Sequence, residues 1–419
     1  IRLKNFMEKR PVIGLTSHSV SQSHHVNDDL QQYHYSLQSI PFLGREEELE
    51  QLRGFLGVNK KFCWWSVTGQ AGAGKSRLAL EFLGQLPTAW FGFFLNDEVL
   101  LCDVENFAPF AATFVVIDYV SGRETLVAQI MKKMVQSFDT VPYRLRILLL
   151  EREDSREAGS WYEKLLSRFG RFDAPRFADA EYGSGTFLYL GDLERNAVEK
   201  FIGAVCARHG LAADPERNRE LCRIYAEKFE KLQFRPLFVQ IFVEAWIENE
   251  FQLPRYDNFE DLLTYILRRE QERWLDLLDG DQVCCNSFIH LLLRANVSGQ
   301  LKITDMPDYY KEDWEKVHQF IVERSFPGRQ REEQTMTLLD AVCQNIEKRE
   351  AVIAPLFPDI IKEYMFCFYM EEEHLQEVTD ELWQNVPGIF SVFITRCLTD
   401  FPDHDFYKHV LQVYDANTT

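Results

Sequence analysis

The chain has 419 residues, with 65 acidic against 46 basic side chains and a formal net charge of -19. Its length exceeds one core of ordinary size and predicts about two to four subdomains. The acidic excess argues against nucleic acid or an anionic membrane as a partner, and no apolar run reaches the roughly 18 residues that a membrane helix needs. Nine scattered cysteines without a C-x-x-C pair favour reduced thiols in a cytoplasmic protein.

Residues 1–39 are polar and without periodicity, which predicts a linker or mobile arm. His24 and His25 lie beside two aspartates there, but adjacent histidines in a polar tract are more typical of solvated side chains than of a metal site. The chain starts at Ile1, and we expect it to be a segment of a longer protein.

A helix is predicted from about residue 46, where acidic side chains open a stretch with Leu49, Leu52 and Phe55 on one face. Next comes an apolar strand, residues 62–68. It leads into the sequence GQAGAGKS, residues 69–76, which fits the phosphate-binding pattern G-x-x-x-x-G-K-[ST]. Because a helical pattern follows at once, the chance alternative of a Gly-rich surface turn is disfavoured. We expect nucleotide contacts from Gly69, Gly72, Ala73, Gly74, Lys75, Ser76 and Arg77.

Further strands are predicted around residues 91–95, 114–118, 146–150 and 186–190. The runs at 91–95 and 114–118 are almost wholly apolar, as expected for strands buried on both faces. Together with residues 62–68 they predict a parallel five-stranded α/β sheet with its ligand at the carboxyl ends of the strands.

Asp118 ends one of these strands, where a magnesium ion bound with a nucleotide needs a carboxylate. It is therefore the candidate Mg²⁺ acid, although an aspartate at this place could also cap the following helix. The next residue is Tyr119 instead of a second acid, which predicts slow hydrolysis.

Arg152 follows the fourth strand and so belongs to the same edge of the sheet, where it could touch a γ-phosphate or be an ordinary solvated arginine. Glu151 beside it is a weak candidate for orienting the attacking water. From about residue 192 the pattern is helical and predicts a lid. Pro236 opens one of its helices, either as an ordinary first-turn proline or as a ligand contact.

We divide the chain into an arm (1–39), an α/β core (40–191), a helical lid (192–280) and a helical region (281–419). Asn258, with Asp261 three residues later, predicts a capped helix near the end of the lid.

In sequence order, these motifs resemble those of the signal-transducing STAND NTPases. This AAA+-related branch of P-loop proteins includes apoptotic and plant immune receptors and many bacterial defence proteins. The resemblance spans about residues 40–372. It rests on FLGRE (42–46), the phosphate loop, VVIDY (115–119), RILLLER (146–152) with Trp161, Arg235-Pro236-Leu237 and PLFPDIIKEY (355–364).

The resemblance implies that Gly44 and Arg45 lie near the base and ribose, and that Lys75 and Ser76 hold phosphate and Mg²⁺. It implies that Asp118 completes the metal site and that Arg152 senses the γ-phosphate. Pro236 would pack against the nucleotide, and a helical and winged-helix segment from about 281 would close the site. The lid histidine motif, a C-terminal repeat array and an N-terminal effector of the family are not recognised in this chain.

These features predict a switch that binds ATP or ADP with Mg²⁺, hydrolyses ATP slowly and self-associates on activation. A role in prokaryotic immune defence, with sensor or effector domains outside this segment, follows from the resemblance. Two alternatives stay open: an AAA+ motor or loader acting on nucleic acid or protein, and a nucleotide-locked scaffold for a fused effector. No N-K-x-D motif, which would recognise guanine, follows Asp118. This absence is only negative support for adenine.

Overall fold

A computed structural model shows two compact units, one within residues 35–252 and the other within 253–419. The residues that it describes are 33, 38–95, 101, 104, 107–152, 156–157, 159–229, 234–252, 258–299, 301–302, 308–324, 352–353, 355–356, 358–372 and 376–406. The predicted arm up to residue 39, with His24 and His25, therefore lies almost wholly outside the described residues.

The first unit is built on a five-stranded sheet whose strands are all parallel and lie in the order β2-β3-β4-β1-β5. The strands are β1 (Phe62–Thr68), β2 (Trp90–Phe94), β3 (Ala112–Asp118), β4 (Leu145–Glu151) and β5 (Leu188–Tyr189). With the phosphate loop directly after β1, this is an α/β P-loop NTPase fold. The predicted class is confirmed.

Helices cover both faces of this sheet because successive strand residues point to opposite sides. Trp64 and Ile147 face one apolar cluster, whereas their neighbours Trp65 and Leu148 face the other. The first cluster is covered by α3 (Glu124–Asp139), α4 (Trp161–Arg168) and α5 (Gly170–Ala180), and the second by α1 (Glu46–Gly57) and α2 (Lys75–Gly84).

Two strands can be compared closely with their predictions. β2 was expected to be buried on both faces; it forms an edge of the sheet, and its first three residues are only half-buried. Phe93 and Phe94 are buried in the apolar clusters on opposite faces, so both faces of this edge strand are covered. β5 was expected over 186–190 and has only two residues, because it pairs with the last two residues of β1 alone.

Arg146 is a fully buried arginine inside β4. It donates hydrogen bonds to the carbonyl oxygens of Phe55 (3.2 Å) and Leu145 (2.9 Å), so it fastens the end of α1 to the sheet. Burial lowers the pKa of this guanidinium to about 10.

Three helices follow the sheet within the first unit, and we call them the lid: α6 (Arg195–Arg208), α7 (Pro215–Lys228) and α8 (Pro236–Glu248). Asp214 caps α7 by accepting from the backbone N–H groups of Glu216 and Arg217. α8 packs against α6 and is buried along most of its length.

The second unit is mainly helical. Its helices are α9 (Phe259–Leu277), α10 (Gln282–Ser298), α11 (Asp308–Arg324), α12 (Asp359–Glu372), α13 (Gln376–Asn385) and α14 (Pro387–Asp400). The short strands β6 (Leu301–Lys302) and β7 (Val352–Ile353) pair in antiparallel fashion. α10 is buried on nearly all sides and packs against the other five helices.

The predicted capping box at Asn258 and Asp261 is present at the start of α9. The lid was expected to run to residue 280, but α9 packs within the second unit. The division at 191 and 280 therefore stays a prediction, while the structure separates the chain between 252 and 253.

In the part of the chain that the structure describes, no helix is both long and apolar enough to cross a membrane. The same residues contain no group of three or more His, Cys, Asp or Glu side chains placed to hold a metal ion.

Candidate nucleotide site

The phosphate loop is a tight backbone curl between β1 and α2. Gly72 and Gly74 have positive φ values of 78° and 94°, a conformation that glycine adopts without steric cost. A side chain at Gly69 would place its Cβ 2.6 Å from the carbonyl oxygen of Leu190, so the loop also needs glycine for space. Because α2 begins at Lys75, the N–H groups of its first turn, which cannot bond within the helix, belong to this curl.

Lys75 folds back over the loop: its ammonium donates to the carbonyl oxygens of Gly69 (2.6 Å) and Gln70 (3.1 Å). An ammonium has three N–H donors on a flexible stem, so it can exchange these carbonyls for phosphate oxygens.

Ser76 and Asp118 come together as expected for a magnesium site. The Ser76 hydroxyl donates to Asp118 Oδ2 over 2.7 Å, although 42 residues separate them in sequence. A hydroxyl and a carboxylate are oxygen ligands of the kind that Mg²⁺ prefers. The other Asp118 oxygen accepts from the N–H of Tyr119 at 3.0 Å, and the following helix begins six residues later, at Glu124.

Arg152 lies on the same edge as Asp118, because β3 and β4 are adjacent and parallel. Its guanidinium carbon is 6.0 Å from the ring centroid of Tyr119. Glu151 is buried, and it accepts hydrogen bonds from the backbone N–H groups of Val120, Ser121 and Arg152. These bonds use three of the about four lone-pair sites of the carboxylate, and the side chain is buried, so Glu151 is poorly placed to orient an attacking water.

Gly44 and Arg45 lie where the core meets the lid. A Cβ at Gly44 would be 2.5 Å from the Cβ of Ala197 in α6. Arg45 is buried and donates to the carbonyl oxygens of Ala73 and Asp192, both at 3.4 Å, and of Gly191. Arg45 thus links the phosphate loop to the start of the lid, a role that the sequence analysis did not assign. Its predicted place near base and ribose stays a prediction.

Arg77, the last residue of the predicted nucleotide-binding set, lies on the first turn of α2. It pairs with Glu81 at 3.0 Å, and its guanidinium carbon is 5.4 Å from the ring centroid of Phe42. These contacts place Arg77 between α2 and the segment that leads to Gly44.

The first turn of α8 contacts the phosphate loop directly. Arg235 donates to the Ala71 carbonyl oxygen at 2.9 Å, and the Leu237 N–H donates to the Gly72 carbonyl oxygen at 3.4 Å. Pro236 stands at the start of α8, as predicted. In the sequence, Arg235 is recognised only within the motif Arg235-Pro236-Leu237, and no contact with the loop is predicted for it.

Asp192 lies near this contact. Burial raises the pKa of its carboxyl group, while the charges of Arg235 and Arg45 act in the opposite direction. Both arginines also donate to carbonyl oxygens of the phosphate loop, Arg235 to Ala71 and Arg45 to Ala73.

Comparison with known proteins finds no matching family model and no matching curated protein. Solved structures that resemble the chain include a Walker-type ATPase of Pyrococcus abyssi, with a TM-score of 0.34 and 13% identity over 77% of this chain and 95% of the other. The Aeropyrum pernix Orc1 protein in complex with DNA has a TM-score of 0.35 and 10% identity over 80% and 94%. Cdc6p of Pyrobaculum aerophilum has a TM-score of 0.33 and 12% identity over 83% and 99%. Likeness this distant decides nothing about what the chain binds.

Proposed function

We propose that the chain is a nucleotide-dependent signalling switch that binds ATP or ADP with Mg²⁺ and so controls its conformation and self-association. The observation that carries this proposal is the contact between the phosphate loop and α8. Gly72 and Ala71 bond to the lid through their carbonyl oxygens, while the amides of the same loop are the groups suited to phosphate. A change in the conformation of the loop on nucleotide binding would therefore alter its hydrogen bonds to the lid.

In this proposal Lys75 and the loop amides hold the phosphates, and Arg77, Gly44, Arg45 and Pro236 line the rest of the nucleotide site. Ser76 and Asp118 would hold Mg²⁺, which supplies positive charge against the phosphate oxygens. The 2.7 Å bond between their side chains brings the two oxygens together, which supports a cation site at these residues.

Slow hydrolysis is supported at the edge beyond Asp118. Tyr119 stands where a second acid would orient water, and the buried Glu151 already accepts from three backbone N–H groups. A slow ATPase holds each nucleotide state for longer, which suits a switch better than a motor.

The biological setting rests on the STAND resemblance: self-association on activation, sensor or effector domains elsewhere, and prokaryotic immune defence. A cytosolic location is proposed from the sequence, whose nine scattered cysteines include no C-x-x-C pair. To shift an equilibrium between two conformations from 1:99 to 99:1, a nucleotide must bind the favoured conformation about 10⁴-fold more tightly than the other.

Calorimetric titration with Mg-ATP and Mg-ADP, combined with hydrogen exchange of α8, tests the proposal. We expect both nucleotides to bind and the amides of the first turn of α8 to exchange at different rates in the two complexes. Binding of neither nucleotide, or equal exchange in both complexes, would contradict it.

A further inference from the structure

Glu151 is a buried acid with an unusual set of partners. It ends β4 and is only 4% exposed. The N–H groups of Val120 and Ser121 donate to its Oε2 at 3.0 and 2.7 Å, and the N–H of Arg152 donates to its Oε1 at 2.7 Å. Hydrogen bonds from several amides to one carboxylate are strong, because the acceptor is charged.

These three donors come from two different loops. Val120 and Ser121 follow Asp118 at the end of β3, whereas Arg152 follows β4. One carboxylate therefore fixes the loop of the candidate magnesium acid against the loop of the candidate γ-phosphate sensor. The N–H of Tyr119 also donates to the Leu150 carbonyl oxygen, at 3.2 Å, which adds a second link between the loops.

Tyr119 lies between these links in a left-handed conformation with φ of 56°, which is uncommon for a residue other than glycine, asparagine or aspartate. Such conformations persist where surrounding contacts determine them. Here the result is that the Tyr119 ring lies beneath the Arg152 guanidinium, at 6.0 Å.

We propose that Glu151 is a positioning residue: it holds Arg152 at a fixed place relative to Asp118, so that Arg152 distinguishes ATP from ADP. The inference rests on the proposed function, because it needs a nucleotide at the loop. In this inference Glu151 holds two loops together through backbone hydrogen bonds. This replaces the water-orienting role that its sequence position suggested.

A double-mutant cycle tests this inference. The affinities of Mg-ATP and Mg-ADP are measured for wild type, Glu151→Gln, Arg152→Ala and the double variant. A glutamine has one acceptor oxygen and an NH₂ group, so it cannot accept from all three amides in the same arrangement. We expect Arg152→Ala to weaken ATP binding about 10-fold or more with ADP affinity unchanged, as for loss of a charge-assisted hydrogen bond.

We expect Glu151→Gln to change the ATP to ADP affinity ratio in the same direction as Arg152→Ala. The double variant should then be no worse than Arg152→Ala alone, because the two residues act as one unit. Glu270→Gln is the matched control: this buried acid pairs with Arg273 within α9 of the second unit, outside both loops, and its loss should leave the ratio unchanged.

Tyr119 gives a second route if Glu151→Gln does not fold. Tyr119→Asn removes the ring but tolerates the left-handed conformation, whereas Tyr119→Phe keeps the ring. The first should reduce the ratio and the second should not. An unchanged ratio in both would overturn the inference.

The outcomes also separate this inference from the proposed function. If wild type binds both nucleotides and Arg152→Ala changes the ratio while Glu151→Gln does not, the proposed function stands and the positioning role is wrong. If Glu151→Gln abolishes hydrolysis with both affinities unchanged, Glu151 is the water-orienting acid and the positioning role is again wrong. If wild type binds neither nucleotide, both proposals fail.

Discussion

At the scale of single residues, two glycines of the phosphate loop share a left-handed backbone but differ in their surroundings. A Cβ at Gly72 would lie 3.2 Å from both Leu237 Cβ and Phe238 Cε2, while one at Gly74 would meet nothing within 4 Å. The pair therefore separates the cost of backbone strain from the cost of disturbing the contact with the lid.

We predict that Gly74→Ala lowers the free energy of unfolding by about 1–2 kcal/mol through backbone strain alone. Gly72→Ala should cost about 1–3 kcal/mol more, because its methyl group presses on α8. Urea unfolding measures both. Equal losses, with equal hydrogen exchange of α8, would show that the loop and lid are not packed as described.

Lys75→Ala should weaken Mg-ATP and Mg-ADP alike, by about 10–100-fold, because an ammonium bonded to phosphate is lost. Asp118→Asn should instead reduce the gain in affinity that Mg²⁺ gives. Lys61→Ala is the matched control for Lys75, since Lys61 is exposed before β1 and donates to the Asp139 carbonyl oxygen. Calorimetry with and without Mg²⁺ would contradict this assignment if Lys61→Ala and Lys75→Ala behaved alike.

In the second unit, we expect Asp313 to stabilise the fold by an amount that depends on pH. Burial alone would raise its pKa, but hydrogen bonds from His290 and Arg294 prevail and lower it from 3.8 to about 2. Glu381 shares Arg294, and burial raises the pKa of that carboxyl group. A carboxyl group whose pKa falls on folding stabilises the folded state above its unfolded pKa, and this contribution disappears as the pH falls through about 2.

Asp313→Asn should therefore cost about 2 kcal/mol at pH 7, and the cost should be about half as large at pH 3. Urea unfolding at both pH values measures it. Asp308→Asn, which removes an exposed partner of Lys311, should change stability far less. A cost for Asp313→Asn that did not depend on pH would contradict the ionic explanation.

At the scale of secondary-structure elements, the first turn of α8 joins the lid to the phosphate loop. Arg235→Ala should remove the bond to the Ala71 carbonyl oxygen and so raise the exchange rates of amides in this turn. Arg219→Ala is the matched control, because that exposed arginine donates only within α7, to the Pro215 carbonyl oxygen. Unchanged exchange in Arg235→Ala would mean that this bond does not hold the lid.

The phosphate loop, Ser76 and Asp118 could be predicted from the sequence, because their chemistry fixes both residue type and spacing. β1 was predicted at its observed bounds because it is mostly apolar, buried throughout, and ends at the loop. The roles of Arg45, Arg235 and Glu151 could not be predicted. Each depends on backbone carbonyl or N–H groups of other segments. Every residue type has such groups, so the sequence does not indicate which of them a side chain will bond. The unit in which α9 packs also could not be predicted, because helical periodicity does not say which neighbour a helix covers.

At the scale of the whole molecule, the acidic chain forms two compact units, and the candidate nucleotide site lies in the first. We predict that the protein purified with ADP is smaller in solution than the protein with ATP, as expected if ATP favours a self-associating form. A motor or loader would instead show fast ATP turnover that nucleic acid or a protein substrate stimulates. Turnover of many ATP molecules per second without a partner would favour that alternative.

The most direct test of the switch identifies the co-purifying nucleotide by mass spectrometry and measures the mass of the protein in solution before and after exchange into Mg-ATP. The account predicts bound ADP on a small species and a larger species with ATP, with Lys75→Ala failing to make the change. A single mass in both states, or a protein that retains no nucleotide and binds none, would contradict it.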